Sequence, residues 1–115
     1  MGMRNTLGQL ANNLFISGMV KYTSGVPALD HSSNLAHAGD VSLTDTGSGD
    51  FNLVIANFKG PRGLADPVVS TKTISVFASA TAATYSGDTL TVTVKVEADD
   101  STATDADVYF HVHAY

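Results

Sequence analysis

The strongest constraint on this chain is the regular alternation of apolar and polar residues along residues 89–97. Every second position there is apolar, at Leu90, Val92, Val94 and Val96. Successive side chains of a β-strand point to opposite faces, so this spacing predicts a strand with one face buried and one face exposed. The same period recurs in residues 14–22 and 108–114. No helical period of ten residues or more follows residue 14, which predicts an all-β domain.

Further strands are predicted at residues 41–44, 51–58 and 71–80. Residues 51–58 are apolar at consecutive positions, which is typical of a central strand that is covered on both faces. Glycines in residues 46–50 and 86–88 supply the positive φ that tight hairpin turns require. Residues 23–27 are expected to end the first strand. Residues 59–67 are expected to form a long loop, because Pro61 and Pro67 cannot donate a hydrogen bond to a ladder.

Together these segments predict one domain with the fold of an antiparallel β-sandwich or jelly roll. The period marks six strands, and one or two more are expected within residues 24–40 and 63–70. The sandwich domain is expected to cover residues 14–115. Residues 1–13 contain one β-branched residue, Thr6, and are interpreted as an N-terminal arm. A chain of 115 residues has room for one such core.

The residue types present exclude several classes of protein. The chain has no cysteine, which excludes a disulfide framework, a thiolate zinc site and a cysteine nucleophile. Its net charge of −5 argues against a nucleic-acid binder, and no apolar run approaches the length of a membrane span. It carries neither a Gly-x-Ser-x-Gly nucleophile turn nor a glycine-rich phosphate loop. We therefore expect no enzymatic activity and no cofactor.

The polar surface is built from hydroxyl groups more than from charges. Charged residues make up 15% of the chain, against about 25% in a typical soluble domain. Serine and threonine together supply 24 residues. A free monomer normally relies on surface charge for its solubility. This composition therefore predicts that part of the surface faces another protein.

An acidic cluster near the C-terminus comprises Glu97, Asp99, Asp100, Asp105 and Asp107. Carboxylates on a loop are the ligands that Ca²⁺ prefers, so the four aspartates are candidate metal ligands. Their spacing differs from that of an EF-hand, which also requires a glycine that is missing here. The favoured interpretation is a solvated or partner-facing loop.

Two histidines on the last predicted strand form a second candidate site. His111 and His113 are two residues apart, so both imidazoles point to the same face of the strand. Such a pair can share a metal ion, and in a trimer one pair from each chain could surround the threefold axis. The favoured interpretation is that this face packs against another subunit, together with Tyr109 and Tyr115.

Two further segments are predicted to bind a partner. In the arm, the candidate contact residues are Met3, Arg4, Leu7 and Leu10. Terminal segments are normally disordered unless something holds them. We expect that contact with a neighbouring subunit holds the arm. In the predicted loop, Lys59 and Arg62 are the candidates, because loops on a rigid sandwich commonly carry binding residues.

The overall pattern resembles the small jelly-roll virion proteins of tailed bacteriophages, especially capsid decoration (cement) proteins. The resemblance rests on the arm, on residues 15–20 (FISGMV), on residues 49–54 (GDFNLV) and on residues 105–112 (DADVYFHV). It covers most of residues 14–115. The pattern is also similar to that of the trimeric tumour-necrosis-factor-like and C1q-like heads of phage fibres.

The resemblance implies a structural function. Proteins of this kind form homotrimers on the outer surface of the capsid, where they bridge major capsid proteins and stabilise the head. Neither nucleic acid nor membrane is an implied partner. The alternative is a trimeric receptor- or glycan-binding head of a fibre or spike. Such a head needs exposed aromatic rings to stack on sugars, and the candidates are Tyr22, Tyr85, Tyr109 and Tyr115.

Deletion of residues 1–13 is expected to abolish attachment to the shell and to leave the sandwich folded. The physical reason is that the arm lies outside the predicted core and is assigned to intersubunit contact. Co-sedimentation with phage heads measures attachment, and circular dichroism measures the β-structure. Loss of the β-spectrum on deletion would contradict this prediction, because the arm would then belong to the core.

Overall fold

The computed structural model describes residues 14–30, 39–100 and 102–115, which form eight β-strands and no helix. The strands are β1 (Leu14–Thr23), β2 (Val26–Asp30), β3 (Asp40–Gly47), β4 (Asp50–Ala56), β5 (Ala65–Thr71), β6 (Val76–Ser86), β7 (Thr89–Ala98) and β8 (Val108–Ala114). They form two four-stranded antiparallel sheets. Sheet I has the order β2-β1-β8-β5 and sheet II the order β3-β4-β7-β6. The predicted antiparallel β-sandwich is confirmed.

Three of the six strand pairs are hairpins between consecutive strands, namely β1–β2, β3–β4 and β6–β7. The other pairs, β1–β8, β4–β7 and β5–β8, join strands that are distant in sequence. Pairing of the first and last strands also occurs in jelly rolls. Because these three pairs join consecutive strands, the strand order is more local in sequence than that of a jelly roll, in which the strand pairs are nested.

The core lies between the two sheets and is formed by the inward side chains of the four central strands. Alternate residues of β4, β7 and β8 are buried, and on β1 Ile16 and Val20 are buried. The expectation that residues 51–58 are covered on both faces was wrong, because β4 alternates and Val54 on its outward side is only half-buried. The largest side chains that are almost wholly buried are Phe51, Ile16, Leu53, Ile55, Leu90, Val20, Val92, Val94, Val96, Val108 and Val112. No polar or charged residue among the described residues belongs to this core.

Both predicted hairpin turns are confirmed. Ser48 and Gly49 connect β3 to β4, and Gly87 and Asp88 connect β6 to β7. Gly49 has a φ of 70°, and a Cβ at this position would collide with the backbone of Val96. Glycine is therefore required there both for its conformation and for the close approach of the strands.

Three further local predictions were wrong. Residues 23–27 do not merely end the first strand, because Val26 already begins β2. Residues 59–67 are not entirely loop, because Pro67 lies within β5 opposite Val112. This position tolerates proline because β5 is at the edge of sheet I, where one side of the strand has no ladder partner.

The predicted strand at residues 71–80 is divided by a turn. Residues 72–75 connect β5 to β6, and Ser75 adopts a left-handed φ of 61° that is incompatible with a strand. The alternation of apolar and polar residues in this segment therefore does not indicate a continuous strand, because residues 72–75 form a turn. The strands β2 and β5 lie within the two segments where additional strands were expected.

The predicted arm at residues 1–13 lies outside the described residues. The candidate contact residues Met3, Arg4, Leu7 and Leu10 are consequently also outside them. The first described strand, β1, starts at Leu14.

Replacing Leu53 by alanine is expected to lower the free energy of unfolding by about 2–5 kcal/mol. Leu53 is buried on β4, so truncation leaves a cavity between the sheets. Urea denaturation measures the change. Ser42→Ala on the adjacent strand is the matched control, because Ser42 is exposed, and its effect should stay within about 0.5 kcal/mol. Equal effects of the two substitutions would contradict the described core.

Candidate interaction surface

The outward side of sheet I carries aromatic and imidazole side chains across β1, β8 and β5. The cross-strand rows are Phe15–His113–Asp66, Ser17–His111–Val68 and Met19–Tyr109–Ser70. Beyond the first row, Leu64 and Tyr115 exchange two backbone hydrogen bonds that continue the β5–β8 ladder. We call the side chains on this side the aromatic face: Phe15, Met19, Leu64, Val68, Tyr109, His111, His113 and Tyr115.

Ring contacts organise one end of the aromatic face. The Phe15 and His113 rings stack with centroids 4.3 Å apart and an interplanar angle of 10°. His113 also contacts Tyr115 at a centroid distance of 4.6 Å, and Phe15 contacts His111 at 5.9 Å. These contacts order the aromatic side chains before any partner binds, which lowers the entropy lost on binding.

The aromatic face exposes large apolar side chains to solvent. Leu64 is 60% exposed, Val68 58% and Phe15 43%. Five of the eight large apolar side chains that are exposed among the described residues lie on this face. Three strands over seven residues measure about 14 Å by 23 Å. This is the size of the largest apolar patch on a typical monomeric protein, and such patches are often functional.

The outward side of sheet II has a different chemistry. Its cross-strand rows contain Ser42, Thr44, Asn52, Thr84, Thr91 and Thr93. We call this side the hydroxyl face. Charged residues lie on the same side, because Lys95 is opposite Asp50 and forms an ion pair of 2.9 Å with Glu97. Hydroxyl and charged groups together solvate this face.

Two aspartates of the acidic cluster, which were candidate metal ligands, accept hydrogen bonds from backbone N–H groups of distant segments. Asp105 Oδ1 accepts a hydrogen bond of 2.9 Å from the Gly49 backbone N–H. Asp107 Oδ1 accepts one of 3.0 Å from the Tyr22 backbone N–H. Both bonds cross large sequence separations and connect the segment before β8 to β1 and to the β3–β4 turn.

Of the other carboxylates of the cluster, Glu97 lies on β7 and forms an ion pair of 2.9 Å with Lys95, and Asp99 and Asp100 lie in the turn after β7. Asp100 accepts a hydrogen bond of 3.0 Å from the Thr102 backbone N–H, and bonds from Thr102 lower the pKa of Asp100 below its usual value. Asp99 is exposed. Within the described ranges, no group of three histidine, aspartate or glutamate side chains is arranged to hold a metal ion.

Tyr22 closes the core at the end of the sandwich where the acidic cluster lies. Its ring packs edge-on against Phe51 at a centroid distance of 6.3 Å. Its hydroxyl is buried and has no hydrogen-bond partner. Burial, together with the negative charges of Asp105, Asp45 and Asp50, raises the pKa of Tyr22 to about 12.

The predicted contact residues Lys59 and Arg62 lie between β4 and β5, at the opposite end of the sandwich from Tyr22. Lys59 is exposed. Arg62 Nη2 donates a hydrogen bond of 2.9 Å to the Phe58 carbonyl oxygen and forms an ion pair of 2.9 Å with Asp88. The guanidinium therefore connects this loop to the β6–β7 turn.

The structure brings together four of the predicted contact residues and separates two others from them. Tyr109, His111, His113 and Tyr115 share the aromatic face. Lys59 and Arg62 lie in the loop beyond its end. Phe15, Leu64 and Val68 were not predicted as members of this face, because cross-strand register decides their position and a single sequence does not reveal register.

Comparisons of the chain with protein-family models, with curated proteins and with solved structures gave no match. In the described parts of the chain, no helix has the length and apolar character needed to cross a membrane.

The Tyr22→Phe variant is expected to reduce the decrease in the free energy of unfolding between pH 10 and pH 12, leaving the smaller part that comes from Tyr85 and Lys95, whose pKa values are also raised. Above pH 10 the unfolded chain releases the phenolic proton of Tyr22, whereas the folded chain retains it until about pH 12. The stabilisation that Tyr22 contributes is therefore complete below pH 10 and is lost as the pH rises to about 12. Urea denaturation between pH 9 and pH 12 measures this slope.

An absorbance titration at 295 nm provides the second readout of the same prediction. The step near pH 12 should disappear in Tyr22→Phe and remain in the control Tyr115→Phe, whose ring is exposed. A step near pH 12 that persists in Tyr22→Phe would show that another tyrosine is responsible.

Proposed function

We propose that this chain is a structural virion protein, a capsid decoration (cement) protein. In this proposal it forms a homotrimer on the outer surface of the capsid and bridges major capsid proteins, which stabilises the head. The observation that carries the proposal is the aromatic face. No catalytic activity and no cofactor form part of it.

The aromatic face has the properties of a subunit contact. Its apolar side chains lie between two carboxylates, that of Asp66 in the first cross-strand row and that of Asp30, which is opposite Met19 on β2 at the end of the third row. The chain as a whole has a net charge of −5, so two copies repel each other except where they meet through uncharged surface. An apolar, preordered face on a rigid sheet is such a surface.

The position of the face also favours contact between protein subunits. It is centred on β8, which has strands on both sides and is therefore held in place by two ladders. A rigid contact strand loses little conformational entropy on binding. A protein that must resist the internal pressure of a capsid requires contacts of this kind.

The surfaces outside the aromatic face remain available for the shell. The hydroxyl face offers hydroxyl, amide and charged groups as donors and acceptors, which suits an extensive and hydrated contact. Lys59 is an exposed cation at the opposite end from the acidic cluster. We propose that Lys59 and Arg62, together with the arm residues Met3, Arg4, Leu7 and Leu10, contact the major capsid protein or a neighbouring subunit.

A glycan- or receptor-binding head is the second candidate, because Tyr109 and Tyr115 are exposed on the same face. Aromatic rings of this kind can stack on the apolar side of a sugar ring. In this case the aromatic face would stay uncovered between subunits and would bind its ligand directly.

Binding of the isolated protein to expanded phage heads that lack a decoration protein, compared with binding to host cells and to a glycan array, distinguishes the two functions. A decoration protein binds the heads and ignores the cells and glycans. Binding to cells or glycans without binding to heads would overturn the proposal and support the second candidate.

The Val68→Glu variant is expected to be monomeric and to lose binding to the heads. Val68 lies opposite His111 at the centre of the aromatic face, so the added carboxylate would be buried in the contact. Thr44→Glu is the matched control, since it places the same charge at an exposed strand position of the hydroxyl face. Light scattering after size-exclusion chromatography measures the oligomeric state. A trimeric Val68→Glu protein would contradict the assignment of the contact face.

A further inference from the structure

We propose that the corner of the sandwich formed by the β5–β6 turn and the turn after β7 binds a protein segment that combines apolar side chains with lysine or arginine. We call this surface the acidic tip: Ile74, Phe77, Glu97, Asp99 and Asp100. It shares no residue with the aromatic face or with the loop that carries Lys59 and Arg62. The inference therefore goes beyond the proposed function and does not depend on it.

The acidic tip exposes two large apolar side chains that are three residues apart. Ile74 is 91% exposed, the highest value among the exposed large apolar side chains of the described residues, and Phe77 is 63% exposed. Phe77 points outward from sheet II, because its strand neighbours Val76 and Ala78 pack against the core. Single exposed apolar side chains need no explanation, whereas adjoining ones are typical of a contact site.

Hydrogen bonds hold the β5–β6 turn in one conformation. The Val76 N–H donates to the Thr73 carbonyl oxygen at 3.3 Å, which leaves Ile74 and Ser75 in the middle of the turn. The Thr71 hydroxyl donates to the Val76 carbonyl oxygen at 2.5 Å. A turn that is already ordered loses little conformational entropy when it binds, so Ile74 is presented for contact at low cost.

Carboxylates lie directly beside these apolar side chains. The Asp99 backbone N–H donates to the Ser75 carbonyl oxygen at 3.1 Å, which holds the turn after β7 against the β5–β6 turn. Asp99 and Asp100 are both exposed, and neither forms an ion pair within the part of the chain that the structure describes. Hydrogen bonds from Thr102 lower the pKa of Asp100, so its carboxylate keeps its charge under mildly acidic conditions.

The charge of the acidic tip indicates the chemistry of its partner. Glu97, which is opposite Phe77, is compensated by its ion pair with Lys95. Lys72 in the β5–β6 turn is then one cation beside two uncompensated carboxylates. The tip is therefore net negative and repels nucleic acid and anionic membrane surfaces. A protein segment with both cationic and apolar side chains matches the carboxylates and covers the exposed apolar side chains.

Binding of labelled peptides to the full chain, measured by fluorescence anisotropy, tests the inference. The probes are a peptide of alternating leucine and lysine and two peptides of the same length, one of lysine and serine and one of leucine and glutamate. We expect the leucine–lysine peptide to bind about tenfold more tightly than either of the others. Its affinity should fall as the NaCl concentration is raised, because the carboxylates are exposed.

Ile74→Ser combined with Phe77→Ser is expected to weaken binding of the leucine–lysine peptide by about tenfold. Val26→Ser is the matched control and should leave the affinity unchanged. Val26 is 59% exposed and lies on β2, at the edge of the other sheet. All three side chains lie outside the core, and circular dichroism verifies that each variant is folded.

Asp99→Asn and Asp100→Asn are each expected to weaken binding and to reduce its dependence on NaCl concentration. Asp40→Asn is their control, since Asp40 is exposed at the start of β3, at the opposite end of sheet II. Equal binding of the leucine–lysine and lysine–serine peptides, or no binding of either, would overturn the inference. Full affinity in the variant that lacks both apolar side chains would overturn the assignment of the surface.

Discussion

The pairing of β1 with β8 is the constraint on which the rest of the molecule depends. It joins the first and last described strands at the centre of sheet I, with Leu14 opposite Ala114. This register places Ile16 opposite Val112 in the core and Phe15 opposite His113 outside it. Side chains alternate with a period of two, so a shift of one residue would exchange the two sets. One register thus fixes both the core and the aromatic face.

Aromatic, hydroxyl and carboxylate side chains are concentrated on different outward surfaces of the sandwich. One face is aromatic, one is rich in hydroxyl groups, and the carboxylates of the acidic cluster lie at the end closed by Tyr22. Asp105 and Asp107 accept hydrogen bonds from backbone amides of distant segments, so part of the acidic cluster stabilises the fold.

The sequence predicted β1, β7 and β8 from their alternation and β4 from a continuous apolar run, and it predicted the edge strands less well. Pro67 was interpreted as a loop residue, although an edge strand accommodates it, and the turn ending at Ser75 was interpreted as part of a strand. The shared face of His111 and His113 followed from their spacing. The sequence did not show that Phe15 and Val68 lie on the same face as these histidines. Their positions depend on pairing between strands that are far apart in sequence.

The central claim is that the aromatic face is covered when the protein assembles, and solvent relaxation enhancement in methyl NMR tests it most directly. A soluble paramagnetic agent broadens exposed methyl groups, and both faces carry them: Val68 and Met19 on one, Thr44 and Thr91 on the other. As the protein concentration rises into the range of assembly, the account predicts that Val68 and Met19 become protected while Thr44 and Thr91 stay accessible. Protection of Thr44 and Thr91 with Val68 and Met19 still accessible would contradict the account.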